Sequence, residues 1–317
     1  MKQNVLISCL QLQSNIEDYR HLFAERDIDI ELPTVDQQLT APELLGIIDQ
    51  FDGVIAGDDE FTEEVLEKAT RLKIIARWGV GVDAVDLIAA ERLGIQVVNT
   101  PNVFSDEVAD IVIGYAIMMS RQLHKLDRSV RDGGWAKIEG ISLRGKTLGI
   151  IGMGSIGRAV AQRGLASGMA ILGYDVAPVP ESFVNETGSR IVGLQELVFK
   201  SDFISLNCNL TDSNRHMLSA SEFASMKPGV YLVNTARGPL IDQLALVSAL
   251  QDGKVAGAAL DVFETEPLPL ESPLRKFDNC IFGTHNSSNS HEAVMRVNQM
   301  SVDNLLEGLA VAPFERG

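Results

Sequence analysis

The stretch Thr147-Leu148-Gly149-Ile150-Ile151-Gly152-Met153-Gly154-Ser155-Ile156-Gly157-Arg158 decides the fold. Its first half is a short apolar run, the mark of a strand covered on both faces. That run enters a G-x-G-x-x-G turn, and Arg158–Ala166 then reads as a helix. A strand, a glycine turn and a helix in this order put the free N–H groups of a helix N-terminus where a pyrophosphate can sit, and the glycines let the backbone come close to it. The glycine pattern alone is weak because glycine is common, but its setting strengthens it. Asp175 stands 18 residues after Gly157, closing the next apolar run, Ala170–Tyr174. A carboxylate there accepts hydrogen bonds from both ribose hydroxyls and repels a 2′-phosphate. Val176, Ala177 and Pro178 follow with no cation to offset such a phosphate, so the expected cofactor is NAD and not NADP.

Outward from this motif the chain alternates short β-branched runs with longer amphipathic ones. Val5–Leu10, Ile28–Leu32, Val54–Ala56, Leu72–Ala76 and Ile95–Val98 read as strands, with helices over Ile16–Glu25, Pro42–Gln50 and Glu63–Thr70. This βαβ rhythm implies a parallel sheet covered by helices. Ser105–Arg131 interrupts it as one long helix, with Ser105 as N-cap and Asp106 and Glu107 in the first turn. A second series has strands at Thr147–Ile151, Ala170–Tyr174, Phe203–Leu206, Tyr231–Val233, Val255–Ala259 and Cys280–Phe282, enough for one doubly wound dinucleotide-binding sheet. A last helix, Glu292–Leu309, is expected to return to the first domain. The reading is α/β, with two doubly wound parallel-sheet domains. A Rossmann-type cofactor domain spans 102–285, and a flavodoxin-like substrate domain is made of 1–101 and 286–317.

Length and composition agree with this. A chain of 317 residues suggests two domains, and 45% hydrophobic with 22% charged residues excludes a disordered or collagen-like chain. The net charge of −16 disfavours binding to nucleic acid or to an anionic membrane, because both repel it. It leaves room for a small anionic substrate in a local basic pocket. Cys9, Cys208 and Cys280 lie far apart without a C-x-x-C pair, which argues against a metal site or a disulfide framework and suits a reducing compartment. No apolar run reaches the length of a signal peptide or membrane span. The expected location is cytoplasmic.

Open α/β sheets bind ligands at the carboxyl ends of their strands. The second series offers Arg237 after Tyr231–Val233, Asp261 or Glu266 after Val255–Ala259, and His285 after Cys280–Phe282. An arginine, a carboxylate and a histidine in one crevice are what hydride transfer to an anionic carbonyl compound requires.

Several segments together resemble the NAD-dependent D-isomer-specific 2-hydroxyacid dehydrogenases. They are Arg77-Trp78-Gly79-Val80-Gly81-Val82-Asp83, Asn99-Thr100-Pro101, Gly145–Gly152, Asn234-Thr235-Ala236-Arg237-Gly238 and Ala259-Leu260-Asp261-Val262-Phe263-Glu264. The Arg77 segment is most like the phosphoglycerate dehydrogenase branch. The resemblance implies that Arg237 binds the substrate carboxylate and polarises the carbonyl, and that His285 is the acid–base group. It also implies that Glu266, not Glu264, orients His285. Val80 and Gly81 would lend N–H groups to the substrate carboxylate, and Arg77 would meet a second anionic group. The cofactor would rest on Gly152, Gly154, Ser155, Ile156, Gly157, Asp175, Thr235 and Ala236, with Asp261 at the nicotinamide.

The implied reaction is hydride exchange between NAD(H) and a small D-2-hydroxy or 2-oxo acid, with 3-phosphoglycerate or a similar anion as candidate. The alternatives are a glyoxylate or hydroxypyruvate reductase and a non-catalytic NAD(H)-sensing protein like the corepressors of the family. A homodimer joined through Ser105–Arg131 and the Trp135 region is implied as well. The chain departs from the family pattern at Gly283-Thr284-His285, in the polar run Asn286–Ser290, and at Asn207-Cys208-Asn209-Leu210. The polar run could meet a substrate or cap the last helix.

Overall fold

The computed structural model describes residues 2–310. Positions 311–317, assigned from sequence to the substrate domain, lie outside the described residues. The chain forms two compact units. One runs to Val103 and takes up again at Ser290; the other is Phe104–Asn289. The boundaries expected from sequence were at 101/102 and 285/286.

The first unit holds β1 (Gln3–Ile7), β2 (Ile28–Glu31), β3 (Gly53–Ala56), β4 (Ile74–Arg77) and β5 (Gln96–Val98). All pair in parallel in the order β2-β1-β3-β4-β5. The strand order reverses between β1 and β3, the point at which an open sheet leaves a crevice. β3 and β4 are buried along their whole length, which is why Gly53–Ala56 and 74–76 are apolar throughout. Leu6, Phe51, Phe61, Leu66 and Ile75 lie in the core on one side. The final helix, His291–Ala310, packs so closely on the sheet that a Cβ on Gly308 would stand 2.2 Å from Ile74 Cδ1. Asn298, buried on that helix, accepts from Trp78 Nε1 at 2.7 Å.

The second unit holds β6 (Thr147–Ile151), β7 (Ala170–Tyr174), β8 (Arg190–Ile191), β9 (Phe203–Leu206), β10 (Val230–Asn234), β11 (Val255–Leu260) and β12 (Cys280–Phe282). They are parallel in the order β12-β11-β10-β9-β6-β7-β8, reversing between β6 and β9. This is the Rossmann order with one strand added at an edge. The sheet has one strand more than expected, because the two-residue β8 is too short to show a period.

The helix expected over Ser105–Arg131 is two helices, Ser105–Arg121 and Leu123–Arg131. Gln122 sits between them in the left-handed region at φ +50°. Its N–H closes the first helix on Met119 O, and Ile141 N–H donates to Ser120 O at 2.8 Å. A continuous helix would have used that carbonyl for residue 124, so the returning segment at Gly140–Ile141 takes its place. Ser105 is the first helical residue and not the cap, which falls to Phe104 without a side-chain bond.

Candidate functional site

Three glycines shape the turn after β6, each for a different reason. Gly152 stands at φ +93°, and a Cβ there would lie 2.6 Å from Cys208 N. Gly157 packs so tightly that a Cβ would lie 1.9 Å from Gly152 O. Above Gly154 there is open space, with no atom within 4 Å of a Cβ. Gly154 occupies the cap of the Ser155–Ala166 helix and supplies no side chain to its N–H groups. The helix therefore meets open space with uncapped donors, the condition for binding an anion by backbone and dipole.

Asp175 follows β7 and clips the turn to it, accepting Met153 N–H at 2.6 Å and Ala177 N–H at 2.9 Å on separate oxygens. A carboxylate oxygen accepts more than one bond, so capacity for a ribose is left. Arg158 Nη1 donates to Met153 O at 3.0 Å and so belongs to the turn. At the end of β10, Thr235 Oγ1 is buried with no partner among the described residues. An uncapped helix end under open space and an orphaned hydroxyl at the end of β10, two strands away in the same sheet, are features a dinucleotide fits.

The other predicted residues of this unit are joined through contacts between three strand ends. Asn234, buried at the end of β10, accepts Ala236 N–H at 3.0 Å and donates to Arg237 O at 2.9 Å. This clip sets the backbone at Arg237, whose Nη1 donates to Ala236 O at 2.8 Å. Gly238 then lies on the next loop, where a Cβ would stand 1.9 Å from Phe263 C. Phe263 N–H donates to Glu266 Oε1 at 2.9 Å, and Glu266 Oε2 is 2.9 Å from His285 Nδ1. With one oxygen anchored on backbone and the other on imidazole, Glu266 fixes the ring and its tautomer. Glu264 turns elsewhere, to His216 Nε2 at 2.9 Å and Gln243 N–H at 3.1 Å.

His285 itself is in the left-handed region at φ +56°. Asp261 accounts for that conformation. Its carbonyl accepts His285 N–H at 2.7 Å, and its carboxylate accepts Asn286 N–H at 3.1 Å, Ser287 N–H at 2.8 Å and Ser287 Oγ–H at 2.5 Å. Asp261 and Ser287 are both buried. Tyr115, on the Ser105–Arg121 helix, has its hydroxyl beside this carboxylate, since a Cβ on Gly283 would touch both. Burial, and then the Asp261 charge, push the Tyr115 hydroxyl up to about 12. The polar run after His285 is thus engaged within the fold: Ser287 on Asp261, Asn289 on Asn286 at 2.7 Å, and Ser290 capping the last helix by accepting Ala293 N–H at 3.1 Å. Asn234 and Ser287 were not singled out from sequence. The one available signal was a polar residue at the end of an apolar strand or just past His285.

Arg77, Val80 and Gly81 belong to the first unit. Arg77 ends β4 and is buried, its guanidinium donating to Asp58 Oδ1 and Trp78 O. The following turn is held by Gly79 N–H on Thr100 Oγ1 at 3.0 Å and Asn99 Nδ2 on Val80 O at 2.6 Å. The N–H groups of Val80 and Gly81 meet no acceptor among the described residues.

Residues 113–287 match the model of the D-isomer specific 2-hydroxyacid dehydrogenase NAD binding domain. A glyoxylate reductase of Korarchaeum cryptofilum is 41% identical over 265 residues, covering 82% of this chain and 78% of that protein. A D-3-phosphoglycerate dehydrogenase of Methanocaldococcus jannaschii is 42% identical over 259 residues, covering 80% of this chain but 49% of that protein, so the chain spans about half its length. In structure, a D-lactate dehydrogenase from Aquifex aeolicus complexed with NAD and lactic acid superposes with a TM-score of 0.85 at 29% identity, covering 98% of this chain and all of that one. The chain belongs to the D-isomer specific 2-hydroxyacid dehydrogenase family, as an NAD-dependent oxidoreductase acting on small D-2-hydroxy and 2-oxo acids.

Proposed function

We propose that His285 is the acid–base residue of this oxidoreductase, Glu266 the group that orients it, and Arg237 the cation that holds the substrate carboxylate and polarises the carbonyl. The observation that carries the reading is the Glu266 bridge between Phe263 N–H and His285 Nδ1, with both contacts at 2.9 Å. It commits Nδ1 to the carboxylate, so proton exchange with substrate falls to Nε2. In the oxidative direction Nε2 takes the hydroxyl proton, and in reduction it returns one to the carbonyl oxygen. Bound NAD supplies hydride exchange at the carbon that carries this oxygen. Arg237 meets the carboxylate with a forked, charge-assisted contact. Val80 and Gly81 add neutral N–H donors.

For the cofactor, Gly152, Gly154, Ser155, Ile156 and Gly157 hold the pyrophosphate and Asp175 the adenosine ribose. Thr235 and Ala236 face the dinucleotide from β10. Asp261 sits at the nicotinamide end while also holding the His285 turn. The first unit, with strand order β2-β1-β3-β4-β5, is read as a flavodoxin-like substrate domain, and the second as the NAD domain. The substrate candidates are glyoxylate, hydroxypyruvate and 3-phosphoglycerate, and the choice turns on whether a second anionic group is accepted. Exposed Leu123, Val130 and Trp135 on the second unit support a homodimer through that face. Three free cysteines support a cytoplasmic location, and no helix among the described residues is long and apolar enough to cross a membrane.

His285→Ala tests the reading. Turnover of NADH with a panel of 2-oxo acids is expected to fall by about 10²–10⁴-fold while NADH binding, followed by its fluorescence, is retained. Unchanged turnover would remove the acid–base assignment.

A further inference from the structure

The first unit brings one buried cation to the turn that carries Val80 and Gly81, and that cation is already matched. Arg77 folds back over its own turn, with Nη1 3.0 Å from where a Gly79 Cβ would stand. Nη1 donates to Trp78 O and Nη2 to Asp58 Oδ1. Asp58 arrives from the carboxyl end of β3, two residues past Ala56, beside the strand reversal of the sheet. The neighbouring acid cannot replace it. Asp59 is buried and taken up by the fold, accepting Leu39 N–H at 2.7 Å, Gly57 N–H at 3.0 Å and Ser8 Oγ–H at 2.5 Å.

The Arg77 side chain is 6% exposed, whereas that of Asp58 is 32% exposed. A ligand at this turn therefore meets the carboxylate more readily than the guanidinium. The turn thus has neutral N–H donors at Val80 and Gly81 for one carboxylate, while the buried cation behind it is already paired with Asp58. A second anionic group on the same ligand could reach Arg77 only by displacing Asp58, a carboxylate of its own sign, from the buried pair.

Resting on the assignment of Val80 and Gly81 to the substrate carboxylate, we propose that Asp58 determines substrate class. By occupying Arg77 it restricts the enzyme to 2-oxo and 2-hydroxy acids whose carboxylate is their only anionic group. Phosphorylated and dicarboxylic analogues are excluded. The sequence reading of Arg77 as a site for a second anion is thereby inverted, since the arginine is kept from that task by Asp58.

The test compares kcat/KM with NADH for hydroxypyruvate and glyoxylate against 3-phosphohydroxypyruvate and oxaloacetate. The wild type is expected to prefer hydroxypyruvate over its 3-phosphate by about a hundredfold, the scale of displacing one partner of a buried charge pair. Asp58→Asn, and independently Asp58→Ser, should narrow that ratio by about tenfold or more, chiefly through KM of the doubly anionic substrate. Sulfate should become a competitive inhibitor of both variants. Parity between hydroxypyruvate and its phosphate in the wild type overturns the proposal and needs no variant. A folded Asp58 variant with an unchanged ratio overturns it too. Failure of the underlying reading looks different, because the wild type would bind NADH and reduce none of the four acids.

Discussion

Two turns leave the carboxyl ends of parallel strands on glycines, Gly152–Gly157 after β6 and Gly79–Gly81 after β4, and they handle negative charge in opposite ways. The first leads directly into the Ser155–Ala166 helix, and nothing stands above Gly154. Its N–H groups are backed by a helix dipole, so no side-chain cation is needed to receive a pyrophosphate. The nearest acid, Asp175, is directed to Met153 and Ala177 N–H. The second turn leads into no helix until Leu87, and has instead a buried arginine with its own carboxylate. Without a dipole, the Val80 and Gly81 donors suit one carboxylate, and the Arg77–Asp58 pair leaves no net charge for another. Under the proposed assignments, a helix end serves a ligand that carries two phosphates, and a self-neutralised turn serves one that carries a single charge.

The largest expected effect comes from closing the first turn from inside. In Gly157→Ala the new methyl would meet Gly152 O at 1.9 Å, a contact with backbone that cannot turn aside. NADH affinity is expected to fall by about a hundredfold or more, as for overpacking at a fixed site. Gly154→Ala separates this from a general intolerance, because its methyl meets no protein atom within 4 Å. That variant should keep its melting temperature and lose NADH affinity only by crowding the ligand. Equal loss of stability in both would break the claim that the two glycines serve different purposes.

The same contrast explains which parts of the molecule were legible beforehand. β6, β7, β9 and β12 begin and end where the apolar runs do, because strands of a parallel sheet that are mostly covered are mostly apolar, Ser205 in β9 being a buried exception. The glycine turn was legible because its demands are local: a positive φ, a close approach and a helix start within a few residues. The Arg77 turn was read in its motif but not in its charge state, since Asp58 lies 19 positions away and reaches it only through the pairing of β3 with β4. Ser287 was illegible for a similar reason. Its partner Asp261 belongs to a different strand end, and one serine among the five polar residues of Asn286–Ser290 carries no period of its own. The break at Gln122 depends on Ile141 taking the Ser120 carbonyl, a tertiary event no helical pattern announces.

A smaller effect is expected where the His285 turn is held. Ser287→Ala removes the hydroxyl that meets Asp261 at 2.5 Å but keeps the backbone bond at 2.8 Å. A hydrogen bond to a charged group contributes about 1.5–3 kcal/mol, and part of that is spent holding the left-handed turn. Under the assignment of His285 to proton exchange, kcat should fall by about tenfold with KM for the 2-oxo acid nearly unchanged. Ser287→Thr, which retains the hydroxyl, should recover part of the loss. A fall in stability with kcat intact would make Ser287 a structural residue only and would detach Asp261 from the histidine.

The finest distinction between the two turns is carried by their cysteines. Cys208 lies against the first turn, its N–H 2.6 Å from where a Gly152 Cβ would stand, and Cys9 follows β1 in the other unit. Burial pushes the Cys208 thiol up to about 11, with the charge of Asp175 adding to it, and burial pushes the more enclosed Cys9 to about 12. Only the thiolate reacts with alkylating reagents. At pH 8 both are therefore slow, and Cys208, the less enclosed of the two, should be labelled faster than Cys9. Both rates should climb about tenfold per pH unit from 8 to 10, since each thiol still titrates above that range. The same displacement acts on folding: a thiol raised above its unfolded value of 9.0 keeps its proton in the native state, so stability declines as pH passes 9 and continues to decline toward 11. Adding NADH should slow Cys208 by a few-fold, because a ligand over the first turn shields it, and should leave Cys9 unaffected. Protection of Cys9 with none at Cys208 would mean that the dinucleotide does not lie on the Gly152 turn, and the contrast between the two strand ends would have to be redrawn.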